Sequence, residues 1–240
     1  MFSILFFADI KFEPHTFNGT DYYNYNDIFH FLREIYNTDN LTKVDAVTLI
    51  PSSTYKTQGE SYRTICSVIV GNVTESPGRF LTEDEPWILK PYLLIDFHHT
   101  KVTLTSYTIL LNAAYPRFMQ SFRILGELET DVWKVIDEHH NYTPFIDPNI
   151  TDTGAIIPNN KRLYRYFFNV TNAKTYSRFK IENIGPDSYN DKISPHANIL
   201  SISKLLFFGT VYNGRVFFSP QKAKQSCSKL LKLGALSMYN

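Results

Sequence analysis

The amino-acid sequence predicts a mainly β fold: an antiparallel β-sandwich with a short N-terminal helix and a basic C-terminal tail. Three observations carry this. The chain holds 19 Phe and 16 Tyr among 240 residues, and aromatic side chains suit a pleated, half-buried surface. Short apolar runs recur between clusters of turn-forming residues, which is the pattern of strands in a sandwich or barrel. No amphipathic helix separates those runs, so the crossovers of a parallel α/β sheet are missing. A chain of this length buries enough surface to fold without a metal or a disulfide.

The elements follow in order. Asp21 to Asn26 reads as loop, and Asp27 to Tyr36 reads as a helix. Ile28, Phe29, Leu32, Ile35 and Tyr36 share one face, Arg33 and Glu34 take the other, and Asn26 or Asp27 is the N-cap. Val44 to Ile50 is a strand that runs into the turn Pro51-Ser52-Ser53, and Thr64 to Val70 is a β-branched strand closed by Gly71-Asn72. Val73 to Pro86 is irregular, with a turn at Pro77-Gly78. Tyr92 to His98 and Lys101 to Leu111 read as a hairpin, because only His99-Thr100 separates them. Phe122 to Gly126 and Val132 to Asp137 form a second pair. Glu138, His139 and His140 begin a polar surface loop that continues through Asn141 to Asn160. Arg162 to Val170 and Tyr176 to Glu182 flank a turn at Thr171 to Lys174, and Ile199 to Phe208 is the last strand, ended by Gly209. In Lys101 to Leu111, Val102, Leu104, Ser106, Thr108 and Leu110 form one face. The polar contrast with the other face fades toward the end, as expected where both faces are covered.

Charge and cysteine content narrow the function classes. The net charge is +1, so no global field draws the protein to nucleic acid. Arg215, Lys222, Lys224, Lys229 and Lys232 make a basic tail after Gly209 without an acidic residue. Cys66 and Cys227 cannot supply a four-cysteine zinc site. Two free thiols in a reducing, cytoplasmic setting are the expectation. The opening MFSILFFADIKF has no basic lead or small-residue cleavage site, so no signal peptide is read, and no run is long enough for a transmembrane helix. The Asn-X-Thr triplets at Asn18, Asn40, Asn72, Asn141, Asn149 and Asn169 then read as chance products of an Asn- and Thr-rich chain.

Residues 44 to 209 carry four ordered landmarks. They are Thr48-Leu49-Ile50-Pro51-Ser52-Ser53; Trp87 with Leu94-Ile95-Asp96-Phe97 and Ser106-Tyr107-Thr108-Ile109; Ser121-Phe122-Arg123-Ile124-Leu125-Gly126 with Trp133-Lys134-Val135-Ile136-Asp137; and Tyr176-Ser177-Arg178-Phe179-Lys180-Ile181, Gly185-Pro186, Leu200-Ser201-Ile202 and Leu206-Phe207-Phe208-Gly209. This series resembles the discoidin, or coagulation factor 5/8 type C, domain, a galactose-binding-like jelly roll. Phe17-Asn18-Gly19 and the short helix resemble its intracellular protozoan variant. Glu127 stands where that family has Ser, and Glu129-Thr130-Asp131 replaces its Asp-Gly turn. The resemblance implies three parts: residues 1–43 as an extension packed on the main domain, 44–212 as the sandwich, and 213–240 as the tail. It also implies a non-catalytic binding role, with the ligand held by loops at one end. Those loops are Ser52 to Tyr62, Asn112 to Arg117 and Asp187 to His196, which carry Tyr55, Lys56, Tyr115, Arg117, Tyr189 and His196. Aromatics beside cations grip sugars, headgroups or peptide surfaces. A protein partner is the first expectation, and a carbohydrate or phospholipid headgroup the alternative.

Chemical sites are sparse. The pairs His98-His99 and His139-His140 are neighbours on a strand or turn, and adjacent strand residues point to opposite faces, which is poor geometry for one metal. No cofactor is expected; Ca²⁺ at Glu83, Asp84 and Glu85 is the one alternative. No nucleophile elbow or phosphate-binding glycine loop occurs. Asp96 lies between Ile95 and Phe97, so it points away from the face they share and needs a cation, Arg117 or Arg178. Trp87 and Trp133 read as core or rim packing.

Overall fold

The computed structural model describes residues 7–8, 14–18, 26–54, 65–69, 80–82, 85–86, 90–112, 118–129, 132–142, 153–157, 161–186, 197–212 and 216–217. In chain order the first elements are β1 (Phe7–Ala8), β2 (His15–Phe17), α1 (Ile28–Tyr36), β3 (Thr48–Pro51), β4 (Phe80–Leu81) and β5 (Glu85–Pro86). The long strands follow: β6 (Tyr92–Asp96), β7 (Lys101–Asn112), β8 (Phe122–Glu129), β9 (Val132–His139), β10 (Thr153–Ile157) and β11 (Lys161–Asn169). The last are β12 (Thr175–Tyr176), β13 (Arg178–Asn183), β14 (Ala197–Asn198), β15 (Ser201–Ile202), β16 (Lys204–Tyr212) and β17 (Val216–Phe217).

Two antiparallel sheets make the sandwich. One has the order β3-β6-β13-β8-β9, and the other β10-β11-β7-β16-β2 with β12 also on β7. The chain crosses from one sheet to the other at β6–β7, β7–β8, β9–β10 and β12–β13, as in a jelly roll. Thus β6 and β7 do not form the hairpin that the short gap between them suggests. Phe97 is buried and its N–H donates to Ser177 O at 2.9 Å, while His98 takes a positive φ of 53°. The turn therefore carries the chain from one sheet to the other. By contrast, β8 and β9 pair directly, as the sequence predicts.

Three further expectations change. Residues 65–68 form a 3-10 turn, not a strand, and Val68 is buried in the core. The stretch read as one loop from 138 to 160 starts inside β9, where Glu138 and His139 still pair with β8, and contains β10, whose short apolar run pairs with β11. The last strand does not stop at Gly209 but continues to Tyr212 through a bulge. There Phe208 faces Ser106 and Gly209 faces Leu104, so Thr105 is the extra residue. Gly209 has φ +141°, and an added Cβ would lie 2.0 Å from Thr103 O, so only glycine fits. The bulge also divides the face read in β7. Val102 and Leu104 are buried before it; after it Tyr107 and Ile109 turn inward, while Ser106, Thr108 and Leu110 are buried on the other side.

Helix α1 has the predicted N-cap. Asp27 Oδ1 accepts from His30 N at 2.9 Å, and its Oδ2 accepts from Phe207 N at 3.3 Å, next to the residues of β16 that pair with β2. One carboxylate thus caps the helix and satisfies an edge donor of the sheet. The helix buries Ile28, Phe29 and Leu32. Phe29 stacks on Phe97 and packs against Phe207, with ring centroids 5.6 and 5.4 Å apart, and Phe179 joins from the other sheet. Arg33 Nη1 donates to Ile69 O at 2.6 Å, tying the helix to the 3-10 turn.

Candidate functional site

The register brings the strand ends from which the three nominated loops depart to one end of the sandwich. Pro51 at the end of β3 faces Leu93 near the start of β6, and Asn183 at the end of β13 faces Phe122 at the start of β8. In the other sheet Asn112 ends β7 opposite Leu163, near the start of β11. The β6–β7 turn lies at the opposite end, so Pro51, Asn112 and Asn183 all deliver the chain to the same end. Tyr55, Lys56, Tyr115, Arg117, Tyr189 and His196 themselves lie outside the described residues, as do Trp87, Glu83 and Asp84.

What the structure describes is the floor beneath those loops. Ser52 N donates to Tyr92 O at 2.9 Å, and Ser52 Oγ accepts from Tyr92 N at 3.0 Å. Asn183 N donates to Pro91 O at 2.9 Å, and Ile184 N donates to Ser121 O at 2.8 Å. Ser121 Oγ accepts from Asn141 N at 3.0 Å, and Tyr142 N donates to Gln120 O at 2.7 Å. The buried Asn183 amide donates to Ile199 O at 2.7 Å and to Asn198 Oδ1, and accepts from Gly185 N at 3.3 Å. Residues on both sides of the 187–196 segment are therefore tied to one side chain. Gly185 is needed here because a Cβ would sit 2.8 Å from Ser121 Cβ. Such a floor fixes where each loop leaves the sheets, which is how a rigid scaffold lowers the ordering cost of binding.

At the rim of the same end, Tyr107 Oη donates to the buried Asp137 Oδ2 at 2.7 Å, and His139 Nε2 lies 2.8 Å from that oxygen. Burial first, and then the Asp137 charge, push the Tyr107 phenol well above its ordinary range. Sequence reasoning weighed His139 only with its neighbour His140, beyond a strand ending at Asp137, and so missed its pairing with Asp137.

The outer face of the five-stranded sheet carries a second cluster. Asp96 is paired there as predicted: Arg178 Nε lies 3.3 Å from Asp96 Oδ2, and Arg178 Nη1 donates to Glu127 at 2.7 Å. Lys180 and Arg123 share Glu182, at 2.7 and 2.8 Å. The Lys180 ammonium is 4.7 Å from the Trp133 ring centroid and 5.3 Å from that of Tyr92, and the Arg178 guanidinium is 5.7 Å from Trp133. Trp133 is thus rim packing over paired cations. Among the described residues no three His, Cys, Asp or Glu side chains gather as metal ligands, and no helix is long and apolar enough to cross a membrane.

No protein-family model matches the chain, and no curated protein matches it. Similar solved structures exist. The C-terminal domain of a chitobiase from Bacteroides fragilis is 14% identical, with a TM-score of 0.47 over 71% of this chain and 97% of that one. A fucolectin from striped bass serum is 13% identical, with a TM-score of 0.44 over 68% of this chain and 47% of that one. A family 32 carbohydrate-binding module from Clostridium perfringens, solved with galactose, is 14% identical, with a TM-score of 0.41 over 70% and 94%.

Proposed function

We propose that this chain is a non-catalytic carbohydrate-binding module, with the sugar held by the loops at the floor end of the sandwich. The convergence of Pro51, Asn112 and Asn183 on that end supports the reading. The segments that follow those strand ends carry Tyr55, Tyr115 and Tyr189 alongside Lys56, Arg117 and His196. A tyrosine ring offers a flat apolar surface to the C–H face of a pyranose, and cationic side chains donate to its hydroxyls. The jelly roll supplies the rigid base and needs no chemistry of its own.

A protein partner is the second reading. Val132 is 51% exposed beside the half-buried Trp133, at the end away from the floor, and an aromatic next to an exposed aliphatic suits a protein contact.

Titration of ¹⁵N-labelled protein with galactose and with GalNAc-β-1,3-galactose, followed by amide shifts, tests the proposal. The expected result is saturable shifts around residues 52, 120–121, 141–142 and 183–185. The double variant Tyr115→Ala/Arg117→Ala is expected to bind at least roughly tenfold more weakly, the loss of one or two polar contacts. Shifts confined to the Val132–Trp133 end, or none with either sugar, would remove the carbohydrate reading.

A further inference from the structure

The rim of the floor holds one residue, outside the three nominated loops, that is built to receive a donor. We propose that His139 is a ligand-contacting residue whose Nδ1 lone pair accepts a hydrogen bond from a saccharide hydroxyl. The proposal rests on the carbohydrate reading above and adds a residue to that site.

Asp137 and His139 are two apart on β9, so both side chains leave the same face. Asp137 is 4% exposed, and its Oδ2 meets both Tyr107 Oη and His139 Nε2. A carboxylate accepts and does not donate, so the imidazole proton facing it sits on Nε2. In the neutral ring Nδ1 is then the acceptor. Among the described residues Nδ1 has no hydrogen-bond partner, and the side chain is 25% exposed. The ring is held from several sides: its centroid lies 4.9 Å from Phe122, 4.7 Å from Phe168 and 5.7 Å from Tyr142. His139 also ends its strand, directly opposite Phe122, at the end where the loops converge. Tautomer, orientation and place are therefore fixed before any ligand arrives. A compact donor such as a sugar hydroxyl completes the one unused valence, with the half-buried Tyr142 ring beside it.

The test uses the full chain with ¹⁵N-labelled histidine. Without sugar, His139 is expected to show the Nε2–H tautomer; on adding galactose, its Nδ1 resonance is expected to move. His139→Phe keeps a ring in the aromatic box and removes the acceptor, and it is expected to lower galactose affinity roughly tenfold. If that variant does not fold, Asp137→Asn, which replaces the charged acceptor and loosens the hold on the Nε2–H tautomer, is expected to weaken galactose in its place. An Nδ1–H tautomer in the free protein overturns the proposal. So do floor amides that shift with galactose while Nδ1 stays still and His139→Phe binds as tightly as the native chain. If no amide in the protein responds to galactose or the disaccharide, the carbohydrate reading falls, and this assignment falls with it.

Discussion

Asp27 at the helix junction and Asp96 on the outer sheet face show two ways of holding a carboxylate. Asp96 lies on a half-covered surface and meets the Arg178 guanidinium, which also grips Glu127. Asp27 is 1% exposed and meets backbone donors, from His30, Phe207 and Phe29. The Arg33 guanidinium on the same helix reaches Ile69 O instead. Burial pushes the Asp27 carboxyl up from 3.8 to about 6, against the opposing pull of its hydrogen bonds and of the Arg33 charge. A cation in contact lets a carboxylate stay charged at the surface. Backbone amide dipoles in the core hold its position without fully offsetting its lost hydration.

The contrast is tested most strongly through pH. Asp27 has a higher pKa folded, about 6, than its ordinary 3.8. The folded chain therefore binds the extra proton between those values. The stability this confers is complete below about 3.8 and is lost as pH rises through about 6. Urea unfolding of the native chain and of Asp27→Asn, compared from pH 3.5 to 7.5, is expected to show their difference moving against the native chain by about 3 kcal/mol. A flat difference would mean that the backbone hydrogen bonds fully offset the lost hydration of the Asp27 carboxylate. Next in size is Arg178→Met, which takes the Arg178 cation away from Glu127, whose side chain is 7% exposed. Because Arg178 itself is 29% exposed, a loss of about 2 kcal/mol is expected at pH 7, below the cost of breaking a fully buried pair. Adding Glu127→Gln is expected to recover about half of it, and failure to recover would place the loss in packing. The smallest effect is Trp133→Leu, which keeps an apolar cover but removes the ring from Lys180 and Arg178. A loss of about 1 kcal/mol in urea unfolding is expected, shrinking when Lys180→Met is already present.

The strands and the helix were legible because they depend on local pattern. Asp27 reads as a cap from its place before Ile28, and Asp96 needs a cation because its neighbours face inward. Which strand pairs with which was less legible. A two-residue gap between β6 and β7 suits a hairpin, and only the burial of Phe97 and its bond to Ser177 O turn the chain across the sandwich. The β-branched run at 64–70 has strand propensity, but its centre forms a 3-10 turn that buries Val68. Gly209 looks like a stop until its register with Leu104 shows a bulge. For the candidate site, composition could nominate tyrosines and cations in loops. It could not find the Asn183 amide or the Asp137–His139 pair, whose partners come from distant parts of the chain.

Because β6, β7, β8, β11, β13 and β16 pass repeatedly between the two sheets, neither sheet can be completed from one continuous stretch of chain. β13 needs both β6 and β8 beside it, and β7 needs both β11 and β16. Assembly must therefore wait for segments far apart in sequence to meet, which puts this sandwich among slow folders, on the order of milliseconds to seconds.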